Sequence, residues 1–300
     1  MTSLINLFRI SPPNRQATSL QKGQRTMNVE QQVATHYTRG MLEQKILGAL
    51  RSAGKNVEQL SSRDLELLDN LHVGGREAIE GLAGFMELSP GMRLLDVGCG
   101  IGGPARYFAE RGCQVTGLDL TDEFVRVASG LTRLLKLDGT VEFRQGSALE
   151  MPFSPATFDG AYMIHVGMNI QDKVGIFGEV ARVLKRGGRF AIFDLMLKGN
   201  GAIEFPMPWA VNAETSFVST VEDYRQALER TGFRIDHERE RRQFALEFME
   251  KMRERASAGS PPVLGVHILM GEQAPLMLKN VNQAMAAGAL EPVELVAIAG

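Results

Sequence analysis

The alternation of apolar and polar positions changes character about a third of the way along the chain. Near the start, Val33, Tyr37, Met41, Ile46, Leu47 and Leu50 recur close to the helical period, which predicts one helix over about 29–50. Ser61-Ser62-Arg63-Asp64, followed by Leu65, Leu67 and Leu68, predicts a second helix start, and Gly74-Gly75 opens a third over 76–86. Pro90-Gly91 then marks a turn. Beyond it, short apolar runs predict strands at 92–97, 114–120, 141–145, 158–165 and 189–197. Helical stretches at 104–111, 123–137 and 172–184 separate them. Such alternation implies βαβ units, a parallel sheet and a doubly wound α/β fold, with ligands at the carboxyl ends of the strands.

The last third is less regular. Helical patterns at 221–230, 244–256 and 273–287 interleave with strands at 233–240 and 292–298, and Ser260-Pro261-Pro262 interrupts them. No internal repeat is visible.

Composition narrows the class. The 300 residues are 44% hydrophobic and 23% charged, as in soluble globular domains. No apolar run approaches the ~18 residues that a membrane span needs. The net charge of −2 is uneven: Arg9, Arg15, Lys22 and Arg25 precede the first acid, Glu30, so the remainder carries −6. That body has no bulk attraction for nucleic acid. The run Arg239–Arg242, with Glu238 and Glu240 interleaved, reads as a solvated strand edge. Two cysteines, Cys99 and Cys113, make no disulfide framework and point to a reducing, cytoplasmic setting. The acid-free head fits a disordered tail, an upstream start codon with Met27 the true start, or an organelle-targeting segment. The five histidines lack metal-ligand spacing, so no metal is expected.

The chemistry concentrates in Leu94-Leu95-Asp96-Val97-Gly98-Cys99-Gly100-Ile101-Gly102-Gly103, between a predicted strand and a predicted helix. Glycines there let the backbone approach a ligand, and a helix start offers free N–H groups. Gly98, Gly100 and Gly103 satisfy the dinucleotide fingerprint G-x-G-x-x-G, with Asp119 where a ribose-binding acid belongs. Asp96 argues against that reading, because its carboxylate would repel a pyrophosphate. It suits instead a ligand carrying an ammonium and a sulfonium and no phosphate.

Asp96, Gly98, Gly100 and Gly102 resemble the first motif of the class I methyltransferases that use S-adenosylmethionine (SAM). Thr116-Gly117-Leu118-Asp119-Leu120 resembles their second motif, and Val183-Leu184-Lys185-Arg186-Gly187-Gly188 their L-K-P-G-G turn, with Arg186 in place of proline. The resemblance implies a doubly wound, Rossmann-like, seven-stranded sheet with N-terminal helices and a lid inserted before the last strand. It also implies SAM as cofactor and S-adenosylhomocysteine (SAH) as product. Asp119 would then accept both ribose hydroxyls, with Cys99, Leu120 and the Ala148 N–H beside the nucleoside. Gly146-Ser147-Ala148 stands where the family often has Gly-Asp-Ala, so Ser147 leaves the adenine amino contact without its usual carboxylate.

The N-terminal stretch is similar to that of small-molecule methyltransferases of the sarcosine/dimethylglycine, phosphoethanolamine and tocopherol/ubiquinone types. By that likeness Tyr37 covers the cofactor and Gly74 meets its carboxylate end. The phosphoethanolamine type pairs its Tyr with a His; here Asn169-Ile170-Gln171-Asp172 puts Asn169 in that place, and Asn is no general base near neutral pH. His165 is the candidate to align the acceptor or take its proton, next to the cofactor. Trp209, Met168 and Asn169 are candidates for the acceptor pocket. The expected organisation is a tail at 1–28, cap helices at 29–90 and a methyltransferase domain at 91–300, with substrate-lid insertions at about 199–220 and 244–288. The expected reaction is methyl transfer to a small-molecule amine or amino acid nitrogen. C- or O-methylation of a quinol or phenol, and a non-catalytic SAM-binding role, stay open, as does a homodimer.

Overall fold

The computed structural model describes residues 29–69, 72–199, 201–257, 264–265 and 267–300. The basic head and Ser260-Pro261-Pro262 lie outside the described residues. Seven strands form one sheet: β1 (Arg93–Val97), β2 (Gln114–Asp119), β3 (Val141–Gln145), β4 (Phe158–Ile164), β5 (Leu184–Leu197), β6 (Phe233–Glu240) and β7 (Leu290–Ala299). Their spatial order is β3-β2-β1-β4-β5-β7-β6. Strands β1 to β5 pair in parallel, and the order reverses between β1 and β4, which opens a crevice at their carboxyl ends.

At its far edge the sheet becomes mixed. Strand β7 runs antiparallel to both β5 and β6. Strand β6 therefore points the same way as β5, and β7 starts where β6 ends. Helices α9 (Arg242–Ser257), α10 (His267–Met270) and α11 (Ala274–Ala286) fill that connection, so they rise from the ligand edge of the sheet. The stretch after β5 leaves the same edge before α8 (Val221–Arg230) returns to the sheet.

Helices α5 (Gly103–Ala109), α6 (Asp122–Leu134) and α7 (Lys173–Val183) are the crossovers. Two apolar layers cover the sheet. Phe177, Val180, Phe190, Leu228 and Leu295 belong to one, and Leu82, Phe108, Tyr162, Phe193 and Val296 to the other. A third cluster joins Met168, Trp209, Met207 and Leu195 to Val281 and Met285 of α11. A fourth packs Leu42, Ile46, Leu50, Leu65 and Leu68 against Val127 and Leu131 of α6.

The single helix predicted over 29–50 is two helices, α1 at 29–37 and α2 (Leu42–Ser52). Gly40 and Met41 hold positive φ of 64° and 55° and break the run. The Glu123 carboxylate, in the first turn of α6, accepts the N–H groups of Arg39, Gly40 and Leu42 at 2.6, 2.9 and 3.0 Å. It thereby satisfies donors that a helix start leaves unpaired. Helices α3 (Ser62–Asp69) and α4 (Gly75–Ala83) complete the N-terminal cap. The predicted fifth strand starts early, at Leu184, with an irregularity in its pairing to β4 before Arg189.

The charge run on β6 is also more than a solvated edge. Arg239 and Arg241 each reach Glu294 of β7 at 2.7 Å, and Glu294 is fully buried. A buried carboxylate needs such partners, and two guanidiniums supply them.

Candidate active site

A cavity of about 730 Å³ lies at the carboxyl ends of β1, β2 and β4. Asp96 of β1, Gly98, Cys99 and Gly100 form part of its floor. The turn after β1 needs glycine at 98 on two counts: φ is +72°, and a Cβ there would come within 2.4 Å of Val166. Gly102 has a different reason. It caps α5 with φ +83°, and a Cβ would strike the Phe143 ring at 2.5 Å. Gly102 does not line the cavity, so its place in the motif is explained by packing and helix entry.

Asp119, at the end of β2, lines the cavity and is fixed by backbone donors. Its Oδ2 accepts the Gly100 N–H and its Oδ1 the Thr121 N–H, both at 2.8 Å. Each oxygen keeps a lone pair for a further donor such as a hydroxyl. Burial raises this carboxyl above its ordinary value, opposed by those N–H groups. Asp96 is 2% exposed, and its Oδ2 has no hydrogen-bond partner. Burial pushes its pKa up to about 8, with Tyr162 pulling the other way. An orphaned buried carboxyl in a cavity fits a cationic ligand group, which would restore its ionised form. Leu120, Gly146, Ala148 and Leu149 continue the wall past Asp119.

The opposite wall is the loop after β4. His165 ends that strand with φ +56°, its backbone N–H bonded to the Phe193 carbonyl at 2.8 Å. Asp194, towards the end of β5, anchors the next two residues of the loop. It accepts the N–H of Val166 at 2.9 Å, the N–H of Gly167 at 3.0 Å and the Tyr224 hydroxyl at 2.8 Å. Burial pushes Asp194 up to about 6, against these three donors. The Nζ of Lys173 donates to the Ile170 carbonyl at 2.5 Å and to the Phe217 carbonyl at 2.9 Å, tying this loop to the stretch after β5.

His165 and His72 sit side by side on the cavity wall, ring centres 6.0 Å apart, each with a buried and unpartnered Nε2. Burial lowers His72 to about 4 and His165 well below its ordinary value, His72 adding to the latter effect. Both rings are therefore neutral at pH 7, and the tautomer of each is set by the groups it faces.

The cap closes over this floor. Tyr37 of α1 lines the cavity, and the Asn169 Nδ2 donates to its hydroxyl at 3.1 Å. Tyr37 is thus paired with Asn169, the residue that the sequence puts in place of a histidine. Burial raises the Tyr37 hydroxyl well above its ordinary value, so it stays protonated. His36 donates from Nε2 to the Pro208 carbonyl at 3.1 Å, and Arg39 donates from Nε to the Leu269 carbonyl at 2.8 Å. These bonds fasten α1 to both stretches predicted as lids. Trp209 and Met168 line the cavity while packing with Met207, and the indole N–H donates to the Ser216 hydroxyl at 2.9 Å.

Besides Gly102, two more predicted residues fall elsewhere. Gly74, the residue before α4, lies against the Phe244 ring and not on the cavity. Ser147 is also off the wall; its hydroxyl donates to the Glu30 carboxylate of α1, and it is Glu30 that lines the cavity. Sequence reasoning passed over Glu30, Arg39, His72, Asp194 and Glu214. Of these only Asp194 carried a signal, as the one acid inside the apolar run Phe190–Met196. Among the described residues, no group of three or more His, Cys, Asp or Glu is placed to hold a metal ion, and no helix is long and apolar enough to cross a membrane.

Residues 95–192 match the methyltransferase-domain family. Those residues form a methyltransferase domain. The match starts one residue before Asp96 and ends inside β5, so it covers the strands that build the cavity floor. Around this methyltransferase domain, cycloartenol-C-24-methyltransferase 1 of Oryza sativa subsp. japonica is 40% identical over 124 residues, which is 40% of this chain and 36% of that protein. The chain thus spans about a third of that relative's length. Among solved structures, phosphoethanolamine N-methyltransferase 2 of Haemonchus contortus superposes with a TM-score of 0.63 at 22% identity, over 80% of this chain and 60% of that one. Geranyl diphosphate C-methyltransferase of Streptomyces coelicolor A3(2) gives 0.61 at 20% identity, over 74% and 77%. These likenesses extend the methyltransferase fold beyond the matched segment, including the seven-stranded sheet.

Proposed function

We propose that the chain transfers the methyl group of SAM to a carbon atom of a small molecule with an apolar body. The observation that carries this is one cavity that holds both the Asp96 and Asp119 carboxylates and the neutral, unpartnered His165 and His72 rings. Asp96 would meet the ammonium end of the cofactor and Asp119 its ribose hydroxyls, with Gly98, Cys99, Gly100 and Ala148 beside it. Bound there, the cofactor supplies an electrophilic methyl group. The protein's own tasks are to hold the acceptor in line, exclude water and take up a proton.

The histidines favour carbon over nitrogen. A base held well below its ordinary pKa is too weak to deprotonate an alkylammonium, whose proton is bound far more tightly. It is strong enough for a carbocation, which forms when an alkene's electron pair makes the new C–C bond and which then sheds a proton from the adjacent carbon. The imidazole Nε2 of His165 is the acceptor for that proton, and burial keeps the ring neutral beforehand. Met168, Trp209, Phe217 and Ile164 give the acceptor end an apolar lining. The naming of the Oryza relative as a C-24 methyltransferase is in line with this reading.

A nitrogen acceptor has one observation in its favour: Glu214 lines the cavity along with Trp209, and the two together could hold a cationic amine. The test is a product screen with isotopically labelled SAM against prenyl and sterol alkenes, phenols and alkylamines. Carbon methylation that falls by about a hundredfold in His165→Ala fits the magnitude of general-base catalysis and supports the proposal. Methylation of amines alone, unaffected by that change, overturns it.

A further inference from the structure

We propose that Glu30, carried on α1, is the residue that reads the heteroaromatic base of the cofactor, in place of a carboxylate on the β3 loop. The inference rests on the SAM reading of the cavity. Three observations lead to it.

First, Ser147 follows β3 at the end of the wall formed by Gly146, Ala148 and Leu149. Its own hydroxyl is used twice: Oγ accepts the Leu149 N–H at 3.0 Å and donates to Glu30. Second, Glu30 lines the cavity, and among the described residues no lysine, arginine or histidine pairs with it. Ser147 occupies one lone pair of Glu30 Oε1, so the carboxylate keeps most of its accepting capacity. Third, the surroundings are apolar. Val29 and Val33 of α1, with Leu120, Leu149 and Ala148 below, line the same cavity. A negative acceptor at the end of an apolar wall suits a flat ring that carries an exocyclic N–H donor, and adenine is such a ring.

The arrangement has a consequence for closure. The carboxylate arrives with α1, and the same helix brings Tyr37 to Asn169. Recognition of the base and covering of the reaction centre are therefore tied to one helix. A ligand lacking the amino donor should fail to hold α1 down.

The test is calorimetric titration with SAH and with S-inosylhomocysteine, which replaces the exocyclic amino donor by a carbonyl acceptor. The proteins are the unaltered chain, Glu30→Ala, and Glu30→Ala combined with Ser147→Asp. The unaltered chain should prefer SAH by about 10–100-fold, the range expected when a charged acceptor loses its donor and faces a carbonyl instead. Glu30→Ala should shrink that preference to about threefold or less, chiefly by weakening SAH. Ser147→Asp in the same background should bring the preference back, by placing a carboxylate on the β3 loop. A Glu30→Ala protein that keeps the full preference overturns the inference. So does one that loses both ligands in equal proportion, since Glu30 would then only hold the helix. An unaltered chain that binds neither ligand overturns the SAM reading together with the inference.

Discussion

The two sides of the cavity are made in opposite ways. On the sheet side, the acids are held by backbone groups of neighbouring turns: Asp119 by Gly100 and Thr121, Asp194 by Val166 and Gly167. Those turns are clamped in turn by contacts too close for any Cβ, as at Gly98 against Val166. On the cover side, α2 packs its buried leucines on α6, while α1 and the junction after it are fastened by polar bonds to distant parts of the chain. Glu123 grips the α1–α2 junction, His36 holds Pro208, Arg39 holds Leu269, and Glu30 meets Ser147. The sheet side is held by strand pairing and packing throughout, whereas α1 and the junction after it are tied down mainly by a handful of polar bonds. A preformed floor with a detachable cover allows a buried ligand both to enter and to be sealed from water.

Removing a ligand group from the rigid side should have the largest effect. Asp119→Ala deletes a carboxylate whose remaining lone pairs face the cavity, and hydrogen bonds to charged groups contribute about 1.5–3 kcal/mol. SAH affinity, measured by calorimetry, should fall by about 10–150-fold. The fold should survive, because the strands beside Asp119 keep their pairing. An affinity within threefold of the unaltered protein would move the ribose site elsewhere and dissolve the distinction between floor and cover.

The next effect should be confined to the cover. Glu123→Ala removes the acceptor of three backbone N–H groups, those of Arg39, Gly40 and Leu42. With net losses of about 1–3 kcal/mol, amide exchange across the α1–α2 junction should quicken by about 10–100-fold. Amides of β1, β4 and β5 should keep their rates. If the sheet amides accelerate equally, cover and floor unfold as one unit, and the comparison fails.

That division also marks what the sequence disclosed. Asp96, Gly98, Gly100 and Asp119 were legible because each stands at a strand end or in the glycine turn that follows it, and those are short patterns within the chain. The strand runs were legible because both faces of the central sheet are buried, which leaves continuous apolar segments. The reversal of β7 was not, since an apolar run carries no sign of direction. The cover was misread at each long-range bond. Nothing near Gly40 announces that Glu123 will end the helix there, and nothing near Ser147 announces Glu30. Gly74 and Gly102 show the converse: both were assigned to the ligand, and the close neighbours are the rings of Phe244 and Phe143.

A smaller effect should separate the two buried acids of the floor by pH. Asp119 is tied to N–H donors, while Asp96 has an orphaned oxygen and a pKa pushed up to about 8 by burial. Because that value lies above the unfolded one, Asp96 favours the empty folded state at low pH, and this contribution fades as pH rises through about 8. Binding an ammonium requires the ionised form, so SAH binding near neutral pH should release up to one proton. Affinity should rise by up to about tenfold per pH unit below that pKa. Titrations in buffers of different ionisation enthalpy measure the release, and Asp96→Asn should abolish it. A release unchanged in Asp96→Asn would mean that another group titrates on binding.

The smallest effect belongs to the cover's contact with the reaction centre. Tyr37→Phe keeps the ring that packs near Phe124 and His36, and removes only the acceptor of the Asn169 bond. One neutral hydrogen bond contributes about 0.5–1.5 kcal/mol, so SAH affinity should fall by about 2–12-fold with little change in Tm. Turnover should fall no further than that, because burial keeps the Tyr37 hydroxyl protonated and the Asn169 amide is no base to take its proton. The pair holds α1 against the loop after β4 and moves no proton. A drop in kcat of a hundredfold or more, with SAH affinity intact, would place Tyr37 in the chemistry and make the cover part of the catalytic machinery. His165→Ala in the Tyr37→Phe background then distinguishes the two roles. Separate functions should give additive losses, and a shared proton path should give a double variant no worse than the single ones.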